Sequence, residues 1–154
     1  MGGFTMKDNG QVCHYLEAAP NDMSTALEWA SVGYKSTPIA SMDASGSAST
    51  PDTSIGAGRK NTDLIIATDA TAPTAKACKD YRGPNNLTDW FLPSKDELTQ
   101  LYTTRSFVGN MTTSTYWSSS QYNGTDAWSR NFYNGQQGYY VKGYAGGVRA
   151  IRAF

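Results

Sequence analysis

After residue 110 the usual helix-forming patterns disappear, and four short aromatic runs take over. They are Tyr116-Trp117-Ser118-Ser119-Ser120, Ala127-Trp128-Ser129-Arg130-Asn131-Phe132, Tyr139-Tyr140-Val141-Lys142 and Val148-Arg149-Ala150-Ile151-Arg152-Ala153-Phe154. Gly124, Gly135 and the pair Gly146-Gly147 sit near the joints between them. Short runs rich in Trp, Tyr, Phe and Val with glycine between them predict strands joined by turns. The final run alternates, with Val148, Ala150 and Arg152 on one face and Arg149, Ile151 and Ala153 on the other. Apolar residues on both faces predict a single last strand, central in its sheet.

The first two thirds read differently. Phe4 to Met6 and Cys13 to Ala18 predict two short strands around the turn signal Asp8-Asn9-Gly10. Leu27-Glu28-Trp29 predicts a short strand or turn with an aromatic anchor. Residues 35–54 are dominated by Ser, Thr, Ala, Asp and Pro and predict a surface loop, the least ordered part of the domain. Leu64, Ile65, Ala67 and Thr68, then Ala75, Ala77 and Cys78, suit two short helices broken at Pro73. The strongest local signal is Ser94-Lys95-Asp96-Glu97, a capping box in which Ser94 and Glu97 satisfy each other's amides. Leu98, Leu101 and Tyr102 then share one face, which predicts a helix over Lys95 to Thr103. Short helices around small antiparallel sheets make a loop-rich α+β fold, here in one domain over 1–154.

Hydrophobic residues are 39% of the chain and charged residues 17%, and the remainder is filled by Gly, Ser, Thr, Asn and Tyr, as loops require. The formal net charge is zero, which argues against nucleic acid as a partner. Charge is nevertheless uneven. Residues 104–154 carry Arg105, Arg130, Lys142, Arg149 and Arg152 against Asp126 alone. That basicity could favour an anionic ligand, but pairing of Arg149 and Arg152 with the acidic first part is the simpler expectation. Cys13 and Cys78 could form one bridge; their small or apolar neighbours favour buried free thiols. No apolar run is long enough to cross a membrane, so membrane insertion is not expected. Met1-Gly2-Gly3-Phe4 lacks the features of a signal peptide, leaving either a cytoplasmic protein or a piece of a longer exported chain.

Catalysis has little to stand on. The one histidine, His14, adjoins Cys13, and neighbours on a strand point to opposite faces. Asp96 and Glu97 are explained by the helix start. Asp126 is the sole carboxylate of the last 51 residues, too few for a calcium site there. We therefore expect a non-enzyme with no metal and no cofactor. The positive signal is aromatic: residues 116–154 hold six tyrosines and six glycines, the mixture that antibody paratopes use. Trp90, Trp117, Trp128 and Phe132 are expected inside, holding loops that present the tyrosines.

Asp89-Trp90-Phe91-Leu92-Pro93-Ser94-Lys95-Asp96-Glu97-Leu98, Tyr116 to Ser120, Ala127-Trp128, Asn131-Phe132 and Val148 to Phe154 resemble the DUF1566 family. Leu16-Glu17-Ala18-Ala19-Pro20 fits as well. This is the family of the C-terminal domain of the Legionella collagen-like adhesin. The resemblance implies a C-type-lectin-like fold related to the formylglycine-generating enzyme. That enzyme's paired-cysteine chemistry is not carried over, because no cysteine follows Cys78. The tail and its Trp-rich block are also similar to the variable proteins of diversity-generating retroelements, in which adenine-directed mutagenesis turns Asn codons into many others. Within Gly138 to Gly147, nine of ten residues are of reachable types, and Lys142 is the fixed exception.

The resemblance implies a variable ligand-binding region within 116–154. Its candidate contacts are Tyr122, Asn123, Gly124, Thr125, Ser129, Arg130, Tyr133, Gly138, Tyr139, Tyr140, Val141, Gly143, Tyr144, Ala145, Gly146 and Gly147. The tyrosines, with Ser129, Arg130 and their neighbours, are expected on one exposed face. The implied partner is a protein or glycan receptor on a cell surface, bound by a phage tail protein or a bacterial surface protein. Attached domains would make it a homo-oligomer, such as a trimer. A second reading is a fixed adhesin domain that holds glycosaminoglycans or other anionic glycans through Arg130 and Lys142. A third is an enzyme, an oxidase or glycan hydrolase, on the same scaffold.

Overall fold

The computed structural model describes residues 2–154. Strands β1 (Phe4–Thr5) and β2 (Val12–Cys13) form a hairpin with Gly10 at φ 75° in its turn, but the second strand expected over Cys13 to Ala18 is split, because only Cys13 pairs with β1 and Leu16 to Ala18 find a different partner. Strand β3 (Leu16–Ala18) pairs antiparallel with the last strand, β9 (Ile151–Ala153), so the two ends of the fold are tied together. The main sheet has five strands: β4 (Ser24–Leu27), β5 (Thr115–Gln121), β6 (Asp126–Asn131), β7 (Gln137–Val141) and β8 (Gly146–Val148). Their spatial order is β4-β8-β5-β6-β7; β8 runs parallel to β5, and the other pairs are antiparallel.

The single tail strand read from the sequence is in fact two. Its halves have different partners. Val148 C=O accepts from Met23 N–H and Ala150 C=O from Ala19 N–H, both at close range (2.8 and 2.9 Å). Ile151 then exchanges backbone bonds with Phe91, at 2.8 and 3.0 Å. Between the halves, Arg149 is wholly buried. Its guanidinium meets Asp22 at 2.7 Å, the Ala19 carbonyl at 2.7 Å and the Asn110 carbonyl. Only the first half is central in the main sheet. Arg152 pairs with Asp89 and Glu17, so both tail arginines bond to the acidic first part of the chain.

Among the described residues four α-helices flank the sheets: α1 (Gly58–Thr68), α2 (Pro73–Asp80), α3 (Lys95–Thr103) and α4 (Arg105–Val108). Pro73 opens α2, where a missing N–H costs nothing. Helix α3 spans the expected residues, and its capping box is complete: Ser94 N–H donates to Glu97 Oε2 at 2.8 Å, and Glu97 N–H donates to Ser94 Oγ at 3.3 Å.

The sheet separates two apolar clusters. Trp29, Ile39, Ile65, Cys78, Trp90, Trp117 and Val148 lie in one; Phe91, Leu98, Leu101, Tyr116, Phe132 and Ile151 lie in the other. Tyr116 and Trp117 are adjacent on β5 and alternate between them, as strand geometry requires. Cys13 and Cys78 are both buried and free. The segment 35–54 is not simply a surface loop. Ile39, Met42, Asp52 and Thr53 are buried, and the Asp52 carboxylate accepts from Asp43 N–H at 2.7 Å. Its few apolar side chains and one carboxylate suffice to anchor it, a pattern too sparse to read as core.

Candidate functional site

The tyrosine-bearing surface is built on the β6–β7 hairpin. Gly135, at φ 79°, allows the tight turn, and Asn131 Oδ1 accepts from Tyr133 N–H at 2.8 Å to close it. The register sets Trp128 opposite Tyr139, Ala127 opposite Tyr140 and Arg130 opposite Gln137. Directly opposed residues share a face, and successive residues alternate. Tyr139 therefore stands with Trp128, while Tyr140 points to the other side of the sheet.

Each of these tyrosines has a stacking partner. Tyr122, just past β5, lies on Tyr139 with centroids 3.8 Å apart and planes 11° from parallel, and its edge meets Trp128 at 5.0 Å. On the opposite side, Tyr140 stacks on Tyr144 at 4.4 Å and 17°, and Tyr144 meets Trp117 edge-on at 6.1 Å. The sequence reading put these tyrosines on one face. The structure corrects this to two pairs, one on each side of β7, because Tyr139 and Tyr140 are consecutive on a strand. Each pair rests on a buried tryptophan, and aromatic pairs of this kind contribute about 0.5–1.5 kcal/mol beyond area burial. Tyr139, Tyr140 and Tyr144 still expose 48%, 43% and 38% of their surface.

The other candidate residues divide by exposure. Tyr133, Val141, Thr125 and Ala145 are exposed; Asn123, Gly124, Arg130, Gly138 and Gly143 are half-buried. Tyr133 stands in the hairpin turn, outside both stacked pairs. Asn123 builds the β5–β6 turn, its Oδ1 accepting from Thr125 and Asp126 N–H groups at 2.8 Å. Ser129, Gly146 and Gly147 are buried and do not belong to the exposed surface. A Cβ on Gly146 would lie 2.9 Å from Trp117 Nε1, and one on Gly147 would lie 3.1 Å from the Tyr116 ring. These glycines let β8 approach β5 closely. Ser129 faces Trp117 across the β5–β6 ladder.

The two basic residues expected to hold a glycan are also turned inward. Lys142 has no exposed surface. Its Nζ donates to the Thr37 carbonyl, Gln121 Oε1 and the Gly124 carbonyl, each at 2.9 Å, and lies 4.9 Å from the Trp29 ring. Burial pulls its ammonium down to about 8, opposed by the nearby Asp126 charge. Lys142 thus pins the 35–54 segment to the β5–β6 turn. Arg130 is half-buried, and its guanidinium donates to the Gly135 carbonyl at 2.6 Å, Thr99 Oγ1 at 2.9 Å and Gln137 Oε1 at 3.0 Å. Next to it, Trp128 Nε1, Arg130 Nε and Gln137 Nε2 are buried without an acceptor among the described residues.

Away from this surface, a cleft of about 390 Å³ is lined by Phe4, His14, Leu16, Glu97, Leu101, Val108 and Ile151, among others. These residues come from distant parts of the chain, and no sequence signal groups them. Burial pushes the Glu97 carboxyl up to about 7, although N–H groups of Ser94 and Gly56 donate to it at 2.8 Å each. His14 is exposed at this cleft, and no group of three His, Cys, Asp or Glu side chains suited to a metal occurs among the described residues.

A loop-rich α+β domain with a capped helix over the sheet and an aromatic outer hairpin is thus the class of protein on hand. The chain belongs to the Lcl C-terminal domain family, which matches residues 19–152. No curated protein matches it. Among solved structures, a fimbrial protein from Bacteroides ovatus ATCC 8483 is similar at 20% identity with a TM-score of 0.48. That match covers 94% of this chain but 36% of the fimbrial protein, so the chain spans little more than a third of its length. A likeness of this degree carries no argument about function.

Proposed function

We propose that the chain is a non-catalytic binding module of an adhesin-type surface protein, and that the tyrosines around β7 contact its receptor. The observation that carries this reading is the pair of tyrosine stacks, which expose large amphipathic rings on rigid tryptophan supports. Such rings give contact area at low entropic cost, and a few of them can dominate an interface. Membership of the Lcl C-terminal domain family fits a surface role. The C-type-lectin-like fold is part of the same proposal, and the pairing of β3 with β9 near the chain's two ends is consistent with it. The receptor is a protein or glycan on a cell surface, and multiple copies would be brought together by attached domains.

Diversification by a retroelement is the finer form of the reading. Exposed Tyr133, Tyr139, Tyr140 and Tyr144, with half-buried Tyr122, suit variable positions, whereas buried Ser129, Gly146 and Gly147 suit scaffold. The reading therefore expects a near-copy of the gene's 3′ end in its genome, differing at adenines in the codons of the exposed set. The anionic-glycan alternative is weakened by geometry, because Lys142 is spent internally and Arg130 has three partners. The direct test is binding to intact cells and to a panel of immobilised glycans at rising salt. Retention above 0.5 M salt supports aromatic recognition, since exposed charge interactions are screened within about 4–5 Å there. Loss of binding by 0.3 M would return the glycan reading to first place.

A further inference from the structure

Strand β7 ends the main sheet, and its outer edge is open. Lys142 N–H donates to the Thr125 carbonyl and Asn131 N–H to the Gln136 carbonyl, which fixes the phase of the β6–β7 ladder. Gly138 and Tyr140 then bond to β6, and Gln137, Tyr139 and Val141 direct their backbone groups outward. The Val141 carbonyl is met by Tyr144 N–H at 2.8 Å. The N–H groups of Gln137, Tyr139 and Val141 and the carbonyls of Gln137 and Tyr139 have no partner among the described residues.

Natural sheets blunt such edges with charge, proline or a bulge. The opposite edge follows this rule, since the β4–β8 register shifts between Ser24 and Leu27. Gln137-Gly138-Tyr139-Tyr140-Val141 carries no charge and no proline, and its register with β6 is continuous. The two tyrosine stacks lie on opposite sides of this same edge, so no ligand confined to one face touches both. An extended polypeptide does, because its side chains alternate between the two faces with a period of two residues.

We infer that the occupant of this surface is an extended segment of a partner polypeptide. It adds as a strand along β7 and sets alternate side chains against Tyr122/Tyr139 on one face and Tyr140/Tyr144 on the other. The backbone groups of β7 supply affinity and the two stacks select apolar or aromatic side chains at every second position. This rests on the proposed binding role of the tyrosines but is separable from it.

The test is selection of random linear dodecapeptides displayed on phage against the immobilised chain, followed by titration of one selected peptide by fluorescence anisotropy. Two perturbations probe the edge. Val141→Pro removes an outward N–H that β6 does not use and leaves every tyrosine in place. Singly N-methylating the peptide at successive residues perturbs the ligand alone and needs no folded variant. The expected result is a loss of at least tenfold with Val141→Pro, and with methylation at alternate peptide residues, the intervening ones changing binding less than twofold. Methylation losses without that alternation, or none at all, overturn the strand pairing. So does a failure to enrich peptides when a glycan binds in their place. If Tyr139→Ala and Tyr144→Ala still abolish that other binding, the tyrosine surface stands and the peptide inference alone falls. A dimer seen by light scattering and abolished by Val141→Pro would also overturn it, by giving the edge to a second copy.

Discussion

The β7 hairpin and the tail from Arg149 to Phe154 lie close in sequence and behave in opposite ways. The tail is sunk into the molecule. Arg149 bonds to Asp22, Ala19 and Asn110, and Arg152 reaches Asp89 and Glu17. Among the described residues strand β7 has one neighbouring strand, no ion pair and three exposed large side chains, Tyr139, Tyr140 and Val141. The tail ties distant segments together and tolerates little change. The hairpin is held by its ladder, by Trp128 and Phe132 and by the bond from Arg130 to Thr99, so its outward side chains can change with modest effect on the fold. Stability and recognition are thereby assigned to different residues.

The sharpest way to break this contrast is Arg149→Met. It leaves the Asp22 carboxylate and two carbonyls buried without their cation, and it is expected to lower unfolding free energy by about 3–5 kcal/mol. Chemical denaturation checks it, and a loss below about 1 kcal/mol would mean the tail is not the clamp described. Next comes the buried acid at the base of α3. Glu97 titrates near 7 in the fold against an ordinary 4.5, so the folded state favours its protonated form. Stability from this group is greatest below pH 4.5, falls as pH rises towards 7 and is level above that. The drop is at most about 3 kcal/mol. Unfolding free energies of the wild type and Glu97→Gln measured across this range should show the wild type losing ground to the variant. A difference that grows in the wild type's favour would contradict the assigned direction.

A smaller effect is expected at the pin between the two regions. Lys142→Met removes three hydrogen bonds and leaves their acceptors in place, at a cost of about 1–3 kcal/mol. Limited proteolysis should then show faster cleavage within residues 35–54, which Lys142 holds through Thr37. Unchanged cleavage would show that Ile39 and Asp52 hold the segment unaided.

The sequence made some of this legible and concealed the rest for physical reasons. Helix α3 was readable to the residue because a capping box and a three-four spacing are local signals. The strands β5, β6 and β7 were readable from their aromatic runs and turn glycines. The split tail was not, since its alternation is satisfied equally by one long strand or by two halves with different partners. Gly146 and Gly147 looked like turn or contact residues because the rings that require them, on Trp117 and Tyr116, are 29 to 31 positions away. Lys142 stood out as the one residue a variable block would not contain. Its burial under Thr37, Gln121 and Gly124 gives that position a structural reason. Tyr133, Tyr139, Tyr140 and Tyr144 are exposed as expected while Tyr122 is half-buried, and the division into two stacks needs the register of β7, which composition does not contain.

The most direct test of the central claim is an alanine scan of Tyr122, Tyr139, Tyr140 and Tyr144, reading receptor binding and unfolding free energy on the same samples. The account predicts binding losses of at least tenfold, about 1.4 kcal/mol or more, at one or more position in each stack. Stability should change by no more than about 2 kcal/mol at each. Stability losses of about 3 kcal/mol or more, or binding that survives all four substitutions, would contradict it.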